Sequence, residues 1–317
     1  MTTTRRGTAT GTTALAVMID LPPGFRAADV LAFHQRDVQQ VSERVHETGL
    51  KKGLTWNRRA ACLTLQFESG RAQAHLAVDG ESRGSPADRA IFERMVRRML
   101  GLTQPVDAFE SALASHAQIG PMIAARPSLR VPLAASPFEA LTWAIAGQQI
   151  SLTAALSLRR RMVATGRLVH SSGLACHPDA ATVAAMDDAQ LHAAGFSKAK
   201  ARTVLGLARE VTSGALPLED WAALGDASAL PVADIRERLS KLYGIGPWTI
   251  DYALLRGFGW VDGSLHGDVA VRRNLQALLG AGEKLTEKET RTWLAEFSPW
   301  RALVAAHLWA RKCAAGY

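Results

Sequence analysis

Trp248 and Tyr252 follow directly on the turn Gly244-Ile245-Gly246, and Asp268 stands twenty residues beyond Trp248. Two glycines around one apolar residue let backbone approach a ligand closely, and Pro247 suits the first position of the helix that follows. A helix entered in this way turns unpaired N–H groups toward an anion, and nucleic-acid phosphate is the natural candidate. A carboxylate near the sugar could then stabilise positive charge as a glycosidic bond breaks, or help to activate water. Each feature also has a plainer role. A Gly-Ile-Gly turn joins helices in many proteins, Asp268 before Val269, Val271 and Leu275 has the pattern of a helix N-cap, and Trp248, Tyr252 and Trp300 at helix starts are in most proteins core. Capping and catalysis are compatible. The chain holds 8 Trp against 3 Tyr, and indole faces suit a flipped base, above all a cationic one.

The elements that must position these residues fall into two regions. Alternating stretches at Thr13 to Asp20, Cys62 to Phe67 and Gln73 to Asp79 predict half-buried strands. Helices are predicted at Ala27 to Arg36 and at Ala87 to Leu100, the latter burying Ile91, Met95, Val96 and Met99. From Val106 onward only helix signals recur. Ser136-Pro137-Phe138-Glu139 predicts a capping box opening a helix that buries Phe138, Leu141 and Ile145 and ends at Gly147. After Gln148-Gln149-Ile150-Ser151 a helix restarts through Ala154 to Met162, and Ser197 caps another running to Glu210. Pro231 to Leu242 and Pro247 to Gly257 flank the glycine turn, the latter with Trp248, Tyr252 and Leu255 on one side. Ser298-Pro299-Trp300 is read as the cap of the last helix. Arg167 to Ala181 is read as an inserted surface loop.

Length and composition set the frame. The chain has 317 residues, 48% hydrophobic and 21% charged, and a net charge of +8 that favours an acidic polymer as partner. The polar start, Met1 to Thr13, and the lack of an apolar run of membrane-spanning length predict a cytoplasmic protein with no membrane partner. Cys62, Cys176 and Cys313, three in all, are expected to be structural, reduced thiols. The nine histidines show no zinc-ligand spacing.

Several motifs in order carry a resemblance. Arg126 to Pro132, Phe138-Glu139-Ala140-Leu141, Ala146 to Ser151, the turn from Leu242 to Thr249 with Tyr252 and Arg256, Asp268, and Ser298 to Arg301 with His307-Leu308-Trp309 resemble the helix-hairpin-helix glycosylase superfamily. Within it they are most similar to the bacterial 3-methyladenine DNA glycosylase II (AlkA-type) family. Leu21-Pro22-Pro23, the helix holding Phe33 and the Met95 to Leu102 helix resemble that family's small sheet-bearing domain. The resemblance implies an α+β chain: a tail over 1–12, a TBP-like antiparallel sheet domain with helices over 13–102, and an all-α helix-hairpin-helix body over 103–317. That body would comprise two helical subdomains, one over about 134–261 and one from 103–133 plus 262–317.

Position by position, the resemblance implies that Asp268 is the catalytic aspartate and that Trp248, Tyr252, Trp300 and Phe33 wall a base pocket. Gly244, Ile245, Gly246 and Thr249 would grip DNA, with Gln148, Gln149, Ile150 and Ser151 in the inserting loop and Gln149 as the wedge. No cofactor is required, although the backbone of Ser240, Leu242 and Ile245 would suit a sodium or potassium ion. Trp248 stands where lyase members carry a lysine nucleophile, and the four cysteines of an iron–sulfur cluster are missing. The expectation is a monomeric, monofunctional hydrolase of alkylated purines (3-methyladenine, 7-methylguanine and related bases) in duplex DNA. Two alternatives stay open: a glycosylase for deaminated or oxidised bases such as hypoxanthine, uracil or 8-oxoguanine, and a non-catalytic DNA-binding protein in which Asp268 is only a cap.

Overall fold

The computed structural model describes residues 12–80 and 84–311, so Cys313 and nearly all of the predicted tail lie outside the described residues. A five-stranded antiparallel sheet in the order β1-β5-β4-β3-β2 forms the N-terminal unit. Its strands are β1 (Thr12–Asp20), β2 (Glu43–His46), β3 (Gly49–Trp56), β4 (Arg59–Glu68) and β5 (Arg71–Asp79). Period-two burial sets the register: Leu15, Val17 and Ile19 of β1 face the same core as Ala72, Ala74, Leu76 and Val78 of β5. Helix α1 (Ala27–His34) lies between β1 and β2, and α2 (Pro86–Met99) covers the sheet with Phe92, Met95, Val96 and Met99. Ile91, expected in that core, is 47% exposed, and its neighbour Phe92 is buried instead.

The remainder is helical. After α3 (Val106–Leu113) and α4 (Ile119–Ala125) come α5 (Pro137–Gly147), α6 (Leu152–Thr165), α7 (Ala180–Ala184), α8 (Asp188–Ala193), α9 (Lys198–Thr212) and α10 (Leu218–Ala223). Then follow α11 (Val232–Ser240), α12 (Pro247–Ala253), α13 (Val269–Leu279), α14 (Glu287–Ala295) and α15 (Arg301–Ala310). Helix α12 continues into one widened turn, Leu254–Phe258, that ends at Gly259 with φ +81°. Two apolar cores share this segment as a wall. Ile250, Ala253 and Leu254 face the core built from α5 to α11, whereas Tyr252 and Leu255 face the core of α3, α4, α13 and α15. No helix among the described residues is long and apolar enough to cross a membrane.

Three local expectations need correction. Ser136 does accept from the Glu139 amide at 3.1 Å, but the Glu139 carboxylate does not close the box. It turns to Lys52 at 2.7 Å, Arg159 at 3.0 Å and the Ala135 amide at 3.2 Å. The last helix is entered at Trp300 without a side-chain cap, and Ser298 instead donates to Asp262 at 3.0 Å. The stretch from Arg167 to Ala181 is no plain surface loop. Leu174 and Cys176 are fully buried, the Ala175 carbonyl lies where a Cβ on Gly53 would sit, at 2.3 Å, and the His177 amide donates to the Gly53 carbonyl at 3.3 Å. The absent side chain at Gly53 thus lets this loop dock on β3.

Buried ionisable groups join the sheet unit to the helices. Lys52 of β3, with no exposure, reaches Glu43 at 2.5 Å as well as Glu139, Arg159 lies 3.3 Å from Glu43, and His34 bonds Glu43 at 2.9 Å. Two cations therefore balance two carboxylates. Arg159 and Lys52 hold Glu43 well below the usual carboxylate range against the cost of burial, and Lys52, His177 and Arg159 do the same for Glu139.

The buried histidines add a dependence on acid. Burial holds His177 and His307 down at about 4 and lowers His34 as well. The unfolded chain takes up these protons near pH 6.5 and the folded one only lower, so folding stability is full above pH 6.5 and falls from there toward pH 4. By pH 5 the loss is expected to be on the order of 2 kcal/mol for each of His177 and His307. Urea midpoints at pH 7.5 and 5.0 check this, and equal midpoints would contradict it. The lowered carboxylates contribute in a separate window, below pH 4.5.

Candidate active site

Asp268 is the N-cap of α13, as its sequence pattern predicts, and it is more than a cap. Its Oδ1 accepts from the Ala270 amide at 2.9 Å, the Val271 amide at 3.0 Å and the Trp309 indole at 3.2 Å. Its Oδ2 accepts from the Trp248 indole at 3.2 Å. Four N–H donors from α12, α13 and α15 thus fix the plane of one carboxylate. The preceding loop is tied down too. Arg291 donates to His266 Nε2 at 2.9 Å, and Ser264 meets Nδ1 at 2.9 Å. Because guanidinium only donates, Nε2 is an acceptor and His266 is neutral, a state that burial and then Arg291 favour by lowering its pKa. His266, 9% exposed, is thereby a support for the Asp268 loop and not a free surface group.

The aromatic residues separate into two groups. Trp248 packs on Tyr252 with centroids 5.3 Å apart, as the i, i+4 spacing on α12 predicts. Tyr252, Phe33, Trp143, Arg36 and Arg256 line one cleft whose inner end holds Glu43, Glu139 and Arg159. Asp268, Trp248 and Trp300 do not line it, and the connection to Asp268 runs through neighbours. Tyr252 touches Trp248, and the Arg256 guanidinium lies 4.6 Å from the Phe33 ring and 5.6 Å from the ring of Trp309, the second indole on Asp268. Arg256 is 2% exposed and anchored to the Pro132 carbonyl at 2.6 Å. Trp300 packs edge-on against Phe109 at 6.2 Å, where Asp262 fixes the adjacent Arg301 through two bonds of 2.7 and 3.0 Å.

Sequence reasoning missed three of these contributors. Trp143 stands five residues after Phe138, off the helical stripe of Phe138, Leu141 and Ile145, and an indole off the core stripe was the signal available. Trp309 was visible only as part of a motif, and Arg36 carried no signal at all.

The hairpin between α11 and α12 lies against the end of α5. Gly244, with φ +77°, would place a Cβ 2.3 Å from Thr203 Oγ1, so no other residue fits without displacement. Gln148 donates to the Gly244 carbonyl and to Thr249 Oγ1, both at 2.9 Å, and so pins the hairpin to the loop after α5. Ile245 and Thr249, at 6% and 2% exposure, are buried, so neither side chain, both expected to grip DNA, is presented at the surface. The N-cap of α12 is Gly246, which supplies no side-chain acceptor for the first-turn amides. Gln149, with φ +56°, Ile150, Ser151 and Leu152 are exposed beside it. A rigid turn with open amides, a projecting polar and apolar tip, and an oriented carboxylate with aromatic surface behind them suit a polyanion carrying an extruded planar ring.

Comparison with known proteins agrees with this geometry. Residues 142–299 match the model of the HhH-GPD superfamily base excision DNA repair protein, and residues 18–136 match the AlkA N-terminal domain. The DNA-3-methyladenine glycosylase 2 of Escherichia coli (strain K12) is 30% identical over 193 residues, 60% of this chain and 63% of that protein. The match thus spans less than two thirds of that relative's length. The solved 3-methyladenine DNA-glycosylase from Archaeoglobus fulgidus superposes with a TM-score of 0.74 at 21% identity, covering 93% of this chain and 97% of the other. The Schizosaccharomyces pombe 3-methyladenine DNA glycosylase, solved in complex with abasic DNA, gives a TM-score of 0.56 at 23% identity, covering 65% and 98%.

Proposed function

This chain belongs to the HhH-GPD superfamily of base excision DNA repair proteins, as an AlkA-type member, and from that premise we propose that it is a monofunctional DNA glycosylase that hydrolyses the N-glycosidic bond of alkylated purines in duplex DNA. The observation that carries this reading is the Asp268 carboxylate, held by the indoles of Trp248 and Trp309, with Trp248 packed on Tyr252 of the aromatic cleft. Uncapped amides at Gly246 and the exposed Gln149-Ile150-Ser151 tip support duplex binding with one nucleotide extruded. Alkylation at N3 or N7 makes a purine cationic, so it leaves C1′ as a neutral base and needs little acid assistance. Asp268 then stabilises the sugar cation, orients the water whose oxygen forms the new bond to C1′, and takes up the proton that this water releases. The side chain immediately before Thr249 is an indole and has no amine for a Schiff base, so the sugar–phosphate chain stays intact.

Duplex DNA is the partner in this reading, and the protein acts as a monomer. In this reading the hairpin would hold a sodium or potassium ion through the Ser240, Leu242 and Ile245 carbonyls. The bond from the Ile245 amide to the Leu242 carbonyl, 3.2 Å, leaves that oxygen a second lone pair, and the chemistry needs no metal.

Gly244→Ala is expected to shift the hairpin against Thr203 and lower duplex affinity about tenfold. Fluorescence anisotropy with an abasic duplex checks this, and unchanged affinity would remove the hairpin from the interface. The reaction type is tested by incubating the protein with alkylated plasmid. Strand breaks that appear only after alkali are expected, whereas breaks without alkali would show lyase chemistry.

A further inference from the structure

Arg36 lines the aromatic cleft in a position that nothing in the chemistry above requires. Its Nε donates to the Phe33 carbonyl at 2.7 Å, and its guanidinium lies 4.0 Å from the Phe33 ring centroid and 4.9 Å from that of Trp143. A planar cation set against two aromatic faces is the arrangement that an extruded cationic purine would itself adopt there. With Arg36 in place, the cleft keeps an open volume of only about 30 Å³, room for a water or two and not for a purine. The deeper charges do not favour a second cation. Glu43 and Glu139 are already matched by Lys52 and Arg159, Asp37 of the lining is paired with Arg160, and Arg256 adds another positive group to the wall.

We propose that Arg36 is a specificity-determining residue: it occupies the Phe33–Trp143 slot as an internal cation, must withdraw before a base enters, and penalises cationic bases relative to neutral ones. A neutral base meets only the displacement of Arg36, and its carbonyl or ring-nitrogen edge can accept from the withdrawn guanidinium. A cationic base meets the displacement and a like charge at close range. The inference rests on the reading of this cleft as a base pocket.

Two variants separate the effects: Arg36→Ala empties the slot, and Arg36→Met keeps an apolar stem without charge. In both, kcat/KM for release of cationic 7-methylguanine is expected to rise about fivefold relative to that for neutral hypoxanthine. A ratio within about twofold of the unsubstituted protein in both variants, or equal loss of both activities, would overturn the assignment. A binding measurement does not depend on catalysis. Quenching of tryptophan fluorescence by N-methylquinolinium is expected to show about tenfold tighter binding to the variants, with neutral quinoline gaining markedly less. Equal gains for both probes would make Arg36 a steric plug and overturn its role in charge selection. Should the unsubstituted protein release neither base, the glycosylase reading fails, and the two quinoline probes still decide whether Arg36 selects by charge. Melting temperatures of both variants identify any loss of folding.

Discussion

Asp268→Asn is expected to reduce base release roughly 10²–10³-fold while leaving duplex affinity within about twofold. The substitution keeps the shape and the cap, because the amide oxygen can still accept from Ala270, Val271 and Trp309, the three donors now on Oδ1. Its NH₂ group then faces the Trp248 indole N–H, donor against donor, where Oδ2 now accepts. The negative charge is lost at the point where the sugar cation would develop. The expected outcome is therefore a fall in kcat with little change in anisotropy-measured affinity, and a small drop in melting temperature from the unpaired indole. If Asp268 were only a cap, the variant would retain base release in proportion to its folded fraction.

The second large effect concerns stability. Glu139→Ala removes one carboxylate from a buried group of two cations and two anions, leaving Lys52, which has no exposure, and Arg159 with only Glu43 between them. An uncompensated buried charge of this kind costs about 3–5 kcal/mol. Since Lys52 belongs to the sheet unit and Glu139 to α5, the loss is expected to loosen the attachment of the N-terminal unit to the helical body. Urea denaturation with separate probes reads both effects: Trp56 reports on the sheet unit and Trp221 on the helices. Lys52→Met combined with Glu139→Leu should recover part of the loss, because it removes one charge of each sign. A midpoint for Glu139→Ala unchanged from that of the parent would show that the group is hydrated in solution.

What the residues disclosed in advance was mostly local or periodic. Strands β1 and β5 were legible from alternation, α5 from Ser136 and Pro137, and the hairpin from its two glycines. Asp268 was legible as a cap because Val269, Val271 and Leu275 follow it at helical spacing. Strand β3 was not legible, because Gly49-Leu50-Lys51-Lys52-Gly53 lacks β-branched residues and puts a lysine on the buried face. Only Glu43 and Glu139, the latter 87 residues away, make burial of Lys52 tolerable. The same long-range demand turned Glu139 away from the capping box that its spacing suggested. Within the site, Trp248 was legible through its place after the hairpin. The second indole on Asp268 comes from Trp309, 41 residues further along the chain, and Arg36 reaches Trp143 from another unit. Neither pairing has a sequence period to announce it.

The most direct test of the account is chromatographic identification of the base set free when the purified protein is incubated with methylated duplex DNA. Free 3-methyladenine and 7-methylguanine are expected, with an abasic site left in an intact strand. Duplex binding without any released base, or release confined to uracil or 8-oxoguanine from matching substrates, would contradict it.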